Sequence, residues 1–172
     1  MSDKRDKRSK LLAFEISEPL WQVVGLGLLA GMRTSSAPAI TSHILSHHHS
    51  RKIAHSPLAF MQSDKVATAL KLFVVAELIG DKLPSAPNRI KPVGLVARCL
   101  SGALAGASIY KASGNQPLAG AILGSTAALA STFGSFLLRK SIVRQTRILD
   151  PVIGALEDAL VIGAGVRIIE TT

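Results

Sequence analysis

The sequence predicts an all-α protein, a polytopic bundle of about five membrane-crossing helices with a discontinuous first helix. Of the 172 residues, 48% are hydrophobic and 18% charged, with 14 glycines, a balance too apolar for an ordinary soluble domain of this length. In the segment 21–40, an apolar run meets an arginine, three hydroxyl residues and a proline within a few positions. Inside a bilayer such a break is tolerated only where protein or a water-filled cavity surrounds it.

The first 18 residues are predicted to form a basic cytoplasmic tail and an interfacial segment. Five of the 20 Lys and Arg residues fall within the first ten positions, and residues 11–18 interleave apolar side chains with Glu15 and Glu18, as in helices that lie on a membrane surface. Residues 19–170 are predicted to form a single transmembrane helical domain, because the length leaves no room for a second one.

Five helices are predicted in this domain. The first, from Leu20 to about Gly31, is too short for a hydrocarbon core of ~30 Å at ~1.5 Å per residue. We therefore expect a continuation, Pro38–Leu45, to complete the crossing. A polar loop at His43–Lys65 holds all five histidines. The other helices are predicted at Val66–Gly80, Val93–Ser113, Leu118–Leu138 and Leu149–Ile169.

The distribution of Lys and Arg predicts the orientation. With five crossings and the N-terminus inside, thirteen of these residues face inward and six outward, and Arg33 lies in the membrane. Because cytoplasmic loops carry the excess of positive charge, we expect a multi-pass protein with a cytoplasmic N-terminus.

A faint internal similarity suggests an inverted repeat. Pro19-Leu20 and Pro117-Leu118 open the first and fourth helices, and this offset aligns 33–36 with 131–134. With one helix between the halves, they would be antiparallel, as in many transporters. The alternative is that small-residue helices merely share composition.

Ionisable residues within apolar segments are rare and usually face the interior of a bundle. One interpretation is a polar site in which Arg33 attracts an anion and Glu77 or Glu157 exchanges protons. The alternative is that Arg33 forms a buried ion pair with one of these carboxylates, which fixes helix register. The hydroxyl residues beside Arg33 would either donate into the site or satisfy backbone groups freed at the break. The predicted binding residues are Arg33, Thr34, Ser35, Ser36, Glu77, Asp81, Glu157 and Asp158.

Two further features concern lipid and helix packing. Lys82, Arg89 and Arg98 are predicted at the inner interface, where they would grip lipid phosphates or simply extend to the headgroups. Pairs of glycines four residues apart let helices approach closely, within the bundle or in a homo-oligomer. The pairs are Gly27 and Gly31, Gly102 and Gly106, and Gly120 and Gly124.

Other function classes are disfavoured. Five Phe, one Trp and one Tyr are too few for base stacking, so the basic charge indicates a lipid bilayer and not nucleic acid. His43 and His47 have helical spacing but are weak metal candidates without cysteine or clustered carboxylates. The sequence contains no nucleophile–base pattern, phosphate-binding loop or dinucleotide fingerprint, so we expect neither an enzyme nor a cofactor.

Three stretches resemble a family of small bacterial membrane proteins known as domain of unknown function 4126. They are GLLAGMRTSSAPA at 27–39, AELIGDKLPSAPNRI at 76–90 and RCLSGALAGA at 98–107. The resemblance implies an integral protein of a bacterial inner membrane and implies no activity. Two functions are therefore open: a transporter- or channel-like protein with a buried site for a small solute or ion, either an anion or a proton-coupled one, and a structural or lipid-interacting membrane protein.

Overall fold

The protein is helical wherever its structure is described. The computed structural model describes residues 19–80, 92–146 and 150–170, except for the side chains of 139–140, 142–146, 150–153 and 155–157. No strand occurs within these three ranges. The predicted all-α class is confirmed, whereas the predicted tail and interfacial segment at 1–18 lie outside the described residues.

Six α-helices longer than one turn form the framework. They are α1 (Pro19–Met32), α2 (Ser36–His47), α4 (Asp64–Gly80), α5 (Pro92–Ser113), α6 (Pro117–Thr146) and α7 (Asp150–Glu170). A single turn, α3 (Arg51–Ala54), and a 3-10 helix, η1 (Pro57–Gln62), divide the segment that was predicted as a polar loop. The predicted starts and ends agree closely except for α6, which extends past Leu138.

α1 and α2 run in opposite directions, as α5 shows. Val23 of α1 packs at Gly106 of α5, and the Thr34 carbonyl oxygen accepts a hydrogen bond from Ser101. Beyond α2 the chain returns along α5, because Ser50 Oγ donates to the carbonyl oxygen of Ala112 at 2.8 Å. α1 is therefore antiparallel to α5, and α2 is parallel to it.

The contacts with α7 show independently that α1 and α2 run in opposite directions. A Cβ atom built on Gly25 would lie 3.2 Å from Ile168, and Arg33 forms an ion pair with Asp158. Ile40 then lies against Gly165, back toward the end where α1 started. α1 and α2 thus form a helical hairpin with its turn at Arg33–Ser35, which we call the tip.

The predicted completion of one crossing by α2 is therefore wrong. Helices of 14 and 12 residues extend only about 21 and 18 Å at ~1.5 Å per residue, and the second returns instead of continuing. The physical reason is that the tip contacts α5, α6 and α7 from inside the bundle, so the chain reverses there. Five crossings are not supported.

The centre of the bundle consists of α1, α5 and α6, which pack closely because glycines line their contacts. A Cβ atom at Gly27 would lie 2.6 Å from the carbonyl oxygen of Gly124, and one at Gly31 would lie 2.6 Å from Ser131 Cβ. Across the α5–α6 contact, Gly102 faces Gly124 and Gly106 faces Gly120, with backbone atoms where side chains would otherwise be. Helix backbones approach this closely only where small residues face each other.

These contacts contradict the inverted repeat. Residue numbers rise together along α1 and α6, with Gly27 beside Gly124 and Gly31 beside Thr132, so the two helices are parallel where the repeat requires antiparallel ones. α6 also continues without interruption through 131–134, the residues that the offset aligns with the break at 33–36.

Two helices in the described residues are long and apolar enough to cross a membrane. They are α5, with 22 residues, and the first 22 residues of α6, Pro117–Leu138. α1 is apolar but shorter. The expected association with a membrane is supported at this coarse level.

The α5–α6 contact predicts a strong dependence on Gly124. We expect Gly124→Ala to destabilise the protein by about 1–3 kcal/mol, the usual cost of overpacking, because the added methyl group would overlap the Gly102 backbone. Unfolding in detergent micelles measures this free energy. Gly134→Ala is the matched control on the same helix, since nothing lies within 4 Å of a Cβ atom there. Equal stability of the two variants would contradict the close contact.

Candidate functional site

α1 ends at the tip, and the last carbonyl groups of a helix lack helical partners, although that of Leu29 still accepts a hydrogen bond from the Arg33 amide at 2.8 Å. Hydroxyl groups of α6 act as hydrogen-bond donors at this end of α1. Ser131 Oγ donates to the Leu28 carbonyl oxygen at 2.7 Å. Thr132 Oγ1 lies 3.1 Å from the carbonyl oxygen of Gly31 and 2.8 Å from that of Ala128 in its own helix. α6 therefore supplies the donors that end α1.

The hydroxyl groups of two serines complete this arrangement. Ser36 Oγ lies 2.7 Å from the carbonyl oxygen of Arg33 and 3.1 Å from that of Leu29. Ser101 of α5 donates to the Thr34 carbonyl oxygen. Ser36 thus satisfies the backbone at the break, which is the second of the two roles predicted for the hydroxyl residues.

Glu77 of α4 binds the backbone on the other side of the turn. Its carboxylate accepts hydrogen bonds from the amides of Thr34 at 3.0 Å and Ser35 at 2.9 Å, and from the Ser35 hydroxyl. Ser35 caps the N-terminus of α2 by position, but its own side chain makes no capping bond there. The carboxylate of Glu77 instead binds the two amides that precede α2, near a helix N-terminus, where the helix dipole favours negative charge.

Arg33 pairs with Asp158 of α7. The Arg33 side chain is 5% exposed and that of Asp158 21%, and a guanidinium nitrogen donates to Oδ1. Arg33 also follows the C-terminus of α1, where the helix dipole favours positive charge. The two charges of the tip therefore match the two helix ends that meet there.

The predicted binding residues are only partly brought together. Arg33, Thr34, Ser35, Ser36, Glu77 and Asp158 converge on the tip. Arg33 was expected to pair with Glu77 or Glu157. The structure pairs Arg33 with Asp158 and places Glu77 on the amides of Thr34 and Ser35, whereas a pairing with Glu157 involves a side chain outside the described residues. Three further predicted residues, Asp81, Lys82 and Arg89, lie outside the described residues, as does the side chain of Glu157. Arg98, predicted at the lipid interface, is buried at 8% exposure.

The two histidines proposed as weak metal candidates lie together near the end of α2. The rings of His43 and His47 have centroids 4.3 Å apart and meet edge to face, and Lys71 Nζ lies 3.0 Å from His43 Nδ1. Among the described residues, no group of three or more His, Cys, Asp or Glu side chains is placed to hold a metal ion.

Sequence reasoning missed the contributions of α5 and α6 to the tip. Ser101 lies within the RCLSGALAGA stretch, and Thr132 falls opposite Thr34 in the offset used for the repeat. Single hydroxyl residues are common in apolar helices, so neither carried a distinctive signal. Only their placement beside a chain reversal gives them a role.

Chemically, the tip is an anion site occupied by the protein's own carboxylate. Two backbone amides and one hydroxyl converge on Glu77 at the start of a helix, the arrangement that binds phosphate, sulfate or carboxylate groups in other proteins. A cationic side chain, Arg33, follows in the same turn. The arrangement can exchange one anionic group for another if Glu77 withdraws.

The ion pair predicts a specific pattern in a double-mutant cycle. Asp158→Leu removes a carboxylate that pairs with the buried guanidinium of Arg33, and we expect a loss of about 3–5 kcal/mol in unfolding free energy. Combining Arg33→Met with Asp158→Leu removes both charges and should recover most of that loss. The exposed pair of Arg167 and Glu170, 3.5 Å apart, is the control, and Glu170→Gln should leave stability unchanged. Additive effects at the buried pair would contradict direct pairing.

A substitution of Glu77 should lower stability for a reason other than the loss of the Arg33–Asp158 ion pair. Glu77→Gln keeps one acceptor oxygen and loses the second, so one tip amide is left unsatisfied and the unfolding free energy should fall by about 1–3 kcal/mol. Asp64→Asn, in the exposed first turn of the same helix, should cost less. Denaturant titration of both variants measures the difference, and wild-type stability of Glu77→Gln would show that the carboxylate does not hold the turn.

The comparisons with known proteins identify a family. The family model described as Domain of unknown function (DUF4126) matches residues 20–170, which include all three stretches that carried the resemblance. No curated protein and no solved structure matches the chain. Since the match extends over nearly the whole described chain, the protein belongs to the domain of unknown function 4126 family.

Proposed function

We propose that this protein is an integral, multi-pass protein of a bacterial inner membrane. The distribution of side chains supports this placement. Large apolar side chains are exposed on α1, α4, α5, α6 and α7, among them Leu72 at 66%, Val93 at 83% and Leu118 at 70%. Serine, threonine and arginine are instead buried between the helices. Exposed apolar patches of this extent are rare on soluble monomers.

The hairpin fits this placement as a re-entrant element. Irregular backbone at membrane depth is tolerated when protein surrounds it, and the tip has hydrogen-bond partners on α4, α5, α6 and α7. The cytoplasmic N-terminus stays a prediction. The count of thirteen Lys and Arg residues inside against six outside required α1 and α2 to cross the membrane together. Because α1 and α2 form a hairpin instead, that count no longer applies.

For its activity we propose transport of a small anion, or of protons, through the tip. The single observation that carries the proposal is the carboxylate of Glu77 in a site made of backbone amides, beside Arg33. A substrate anion would replace this carboxylate when α4 moves away. α4 packs mainly against α2 and η1, so its displacement leaves the central contact of α1, α5 and α6 intact.

The second candidate is a structural or lipid-interacting protein without transport. The Arg33–Asp158 ion pair favours it, because a charge that is already neutralised within the protein has no need of a substrate. The same holds for Ser36, whose hydroxyl group lies within hydrogen-bonding distance of backbone carbonyl oxygens. On this interpretation, the polar residues serve only to fix the chain reversal.

Flux measurements distinguish the candidates. Proteoliposomes containing the purified full chain should show anion or proton flux above that of empty liposomes, across a panel of small anions and a proton indicator. Glu77→Gln should change the rate by about tenfold or more, since ~1.4 kcal/mol in one hydrogen bond corresponds to that factor. Glu170→Gln is the control and should transport like the wild type. Absence of flux across the panel would favour the structural candidate.

A further inference from the structure

A groove between α2, α4 and α7 has a different chemistry from the tip. Its volume is about 250 Å³. Aliphatic side chains form most of the walls, including Ile40 of α2, Val74 of α4 and Val166 of α7. Among the described residues that line it, those with basic side chains are His43 and Lys71, which meet at one end, while Ser36 beside the tip forms the other end. The groove is therefore apolar along its length and basic at the end farther from the tip.

The basic end has no internal counter-charge. Among residues 19–80, 92–146 and 150–170, no carboxylate forms an ion pair with Lys71. Its ammonium group has three donors, one of which points to His43 Nδ1 at 3.0 Å. The situation is opposite to that at the tip, where Arg33 has a carboxylate partner. An external anion can complete the coordination of Lys71.

The dimensions of the groove match a single acyl chain. Its α7 wall extends from Val161 to Ile169, a rise of about 12 Å at ~1.5 Å per residue. One leaflet of a bilayer has about 15 Å of hydrocarbon, half of the ~30 Å core. The basic end lies at the side of the hairpin where α2 ends and the polar connection 48–63 begins, which is where headgroups would lie.

We propose that this groove binds one anionic phospholipid, with an acyl chain along α2 and α7 and its phosphate at Lys71. The proposal rests on the membrane placement proposed above but not on transport. Charge complementarity at Lys71, and walls whose described residues include no acidic side chain, select this ligand over a zwitterionic lipid. The end of the acyl chain would reach Ser36, so the lipid would contact the first residue of α2 directly.

Native mass spectrometry of the detergent-purified full chain tests the proposal. Phosphatidylglycerol and phosphatidylcholine with the same acyl chains serve as probes. We expect one tightly held phosphatidylglycerol, and Lys71→Gln should lower its affinity about fivefold, which corresponds to ~1 kcal/mol per basic residue at an anionic headgroup. Lys65→Gln, on the exposed face of the same helix, is the control and should not change it. Equal binding of the two lipids, or an equal effect of both lysine variants, would overturn the proposal.

The apolar part has its own matched pair of variants. Gly165→Leu should displace the acyl chain and abolish retention of both lipids, because a Cβ atom there already comes within 2.8 Å of Ile40. Gly163→Leu is the control, since nothing lies within 4 Å of that position. If Gly165→Leu fails to fold, Val166→Trp, compared with Leu160→Trp outside the groove, gives the same test. Undiminished retention in the blocking variant would overturn the proposal.

Two further arms separate the possible failures. Glycerophosphate added alone should not displace the lipid, because the acyl chain contributes most of the binding; displacement by it would mean a free-phosphate site and would overturn the lipid assignment. The flux assay in proteoliposomes is independent of this result. A protein that transports without selecting lipid refutes the groove proposal only, and one that selects lipid without transporting refutes the proposed transport only.

Discussion

The structure depends on the neutralisation of a chain reversal inside a helical bundle. At Arg33–Ser35 the carbonyl groups of one helix end and the amide groups of the next are both exposed to the interior, and each needs a partner. Hydroxyl groups from α5 and α6 supply the donors, and Glu77 of α4 supplies the acceptor. Asp158 of α7 then balances the one cation of the turn. Four helices are thereby held to one point, and the peripheral α4 and α7 owe much of their placement to it.

Close packing makes this arrangement possible. Gly27 and Gly31 bring α1 against α6, and Gly102, Gly106, Gly120 and Gly124 bring α5 against α6. The resulting backbone proximity puts Ser131 and Thr132 within reach of the α1 carbonyls. These glycines are needed for the close approach of the helices and not for backbone flexibility, because each of them is helical and a methyl group would separate the helices. The close packing at these glycines is therefore what allows the hydroxyl groups of α6 to reach the end of α1.

Much of this was predictable from the sequence and some of it was not. The helix segments follow from apolar runs bounded by proline and charge, and the polar break at Arg33 was identifiable because arginine is costly among apolar residues. The direction of α2 was not predictable, since a turn of a few residues is compatible with either a continued or a reversed helix. The pairing of Asp158 with Arg33 was not predictable, because it depends on which face of α7 meets the tip, and two adjacent acids give no sequence signal for that. The parallel packing of α1 and α6 likewise depends on the reversal.

The most direct test of the account is disulfide cross-linking in native membranes, with Cys99→Ser as the background because Cys99 is the only native cysteine. The hairpin places Ser50 beside Ala112, with its hydroxyl group 2.8 Å from the Ala112 carbonyl oxygen. Cysteines introduced at 50 and 112 should therefore cross-link readily, and cysteines at 50 and 93, at the opposite end of α5, should not. If α2 instead continued the crossing begun by α1, position 50 would lie far beyond the other end of α5. Cross-linking of 50 to 93 without cross-linking of 50 to 112 would contradict the hairpin.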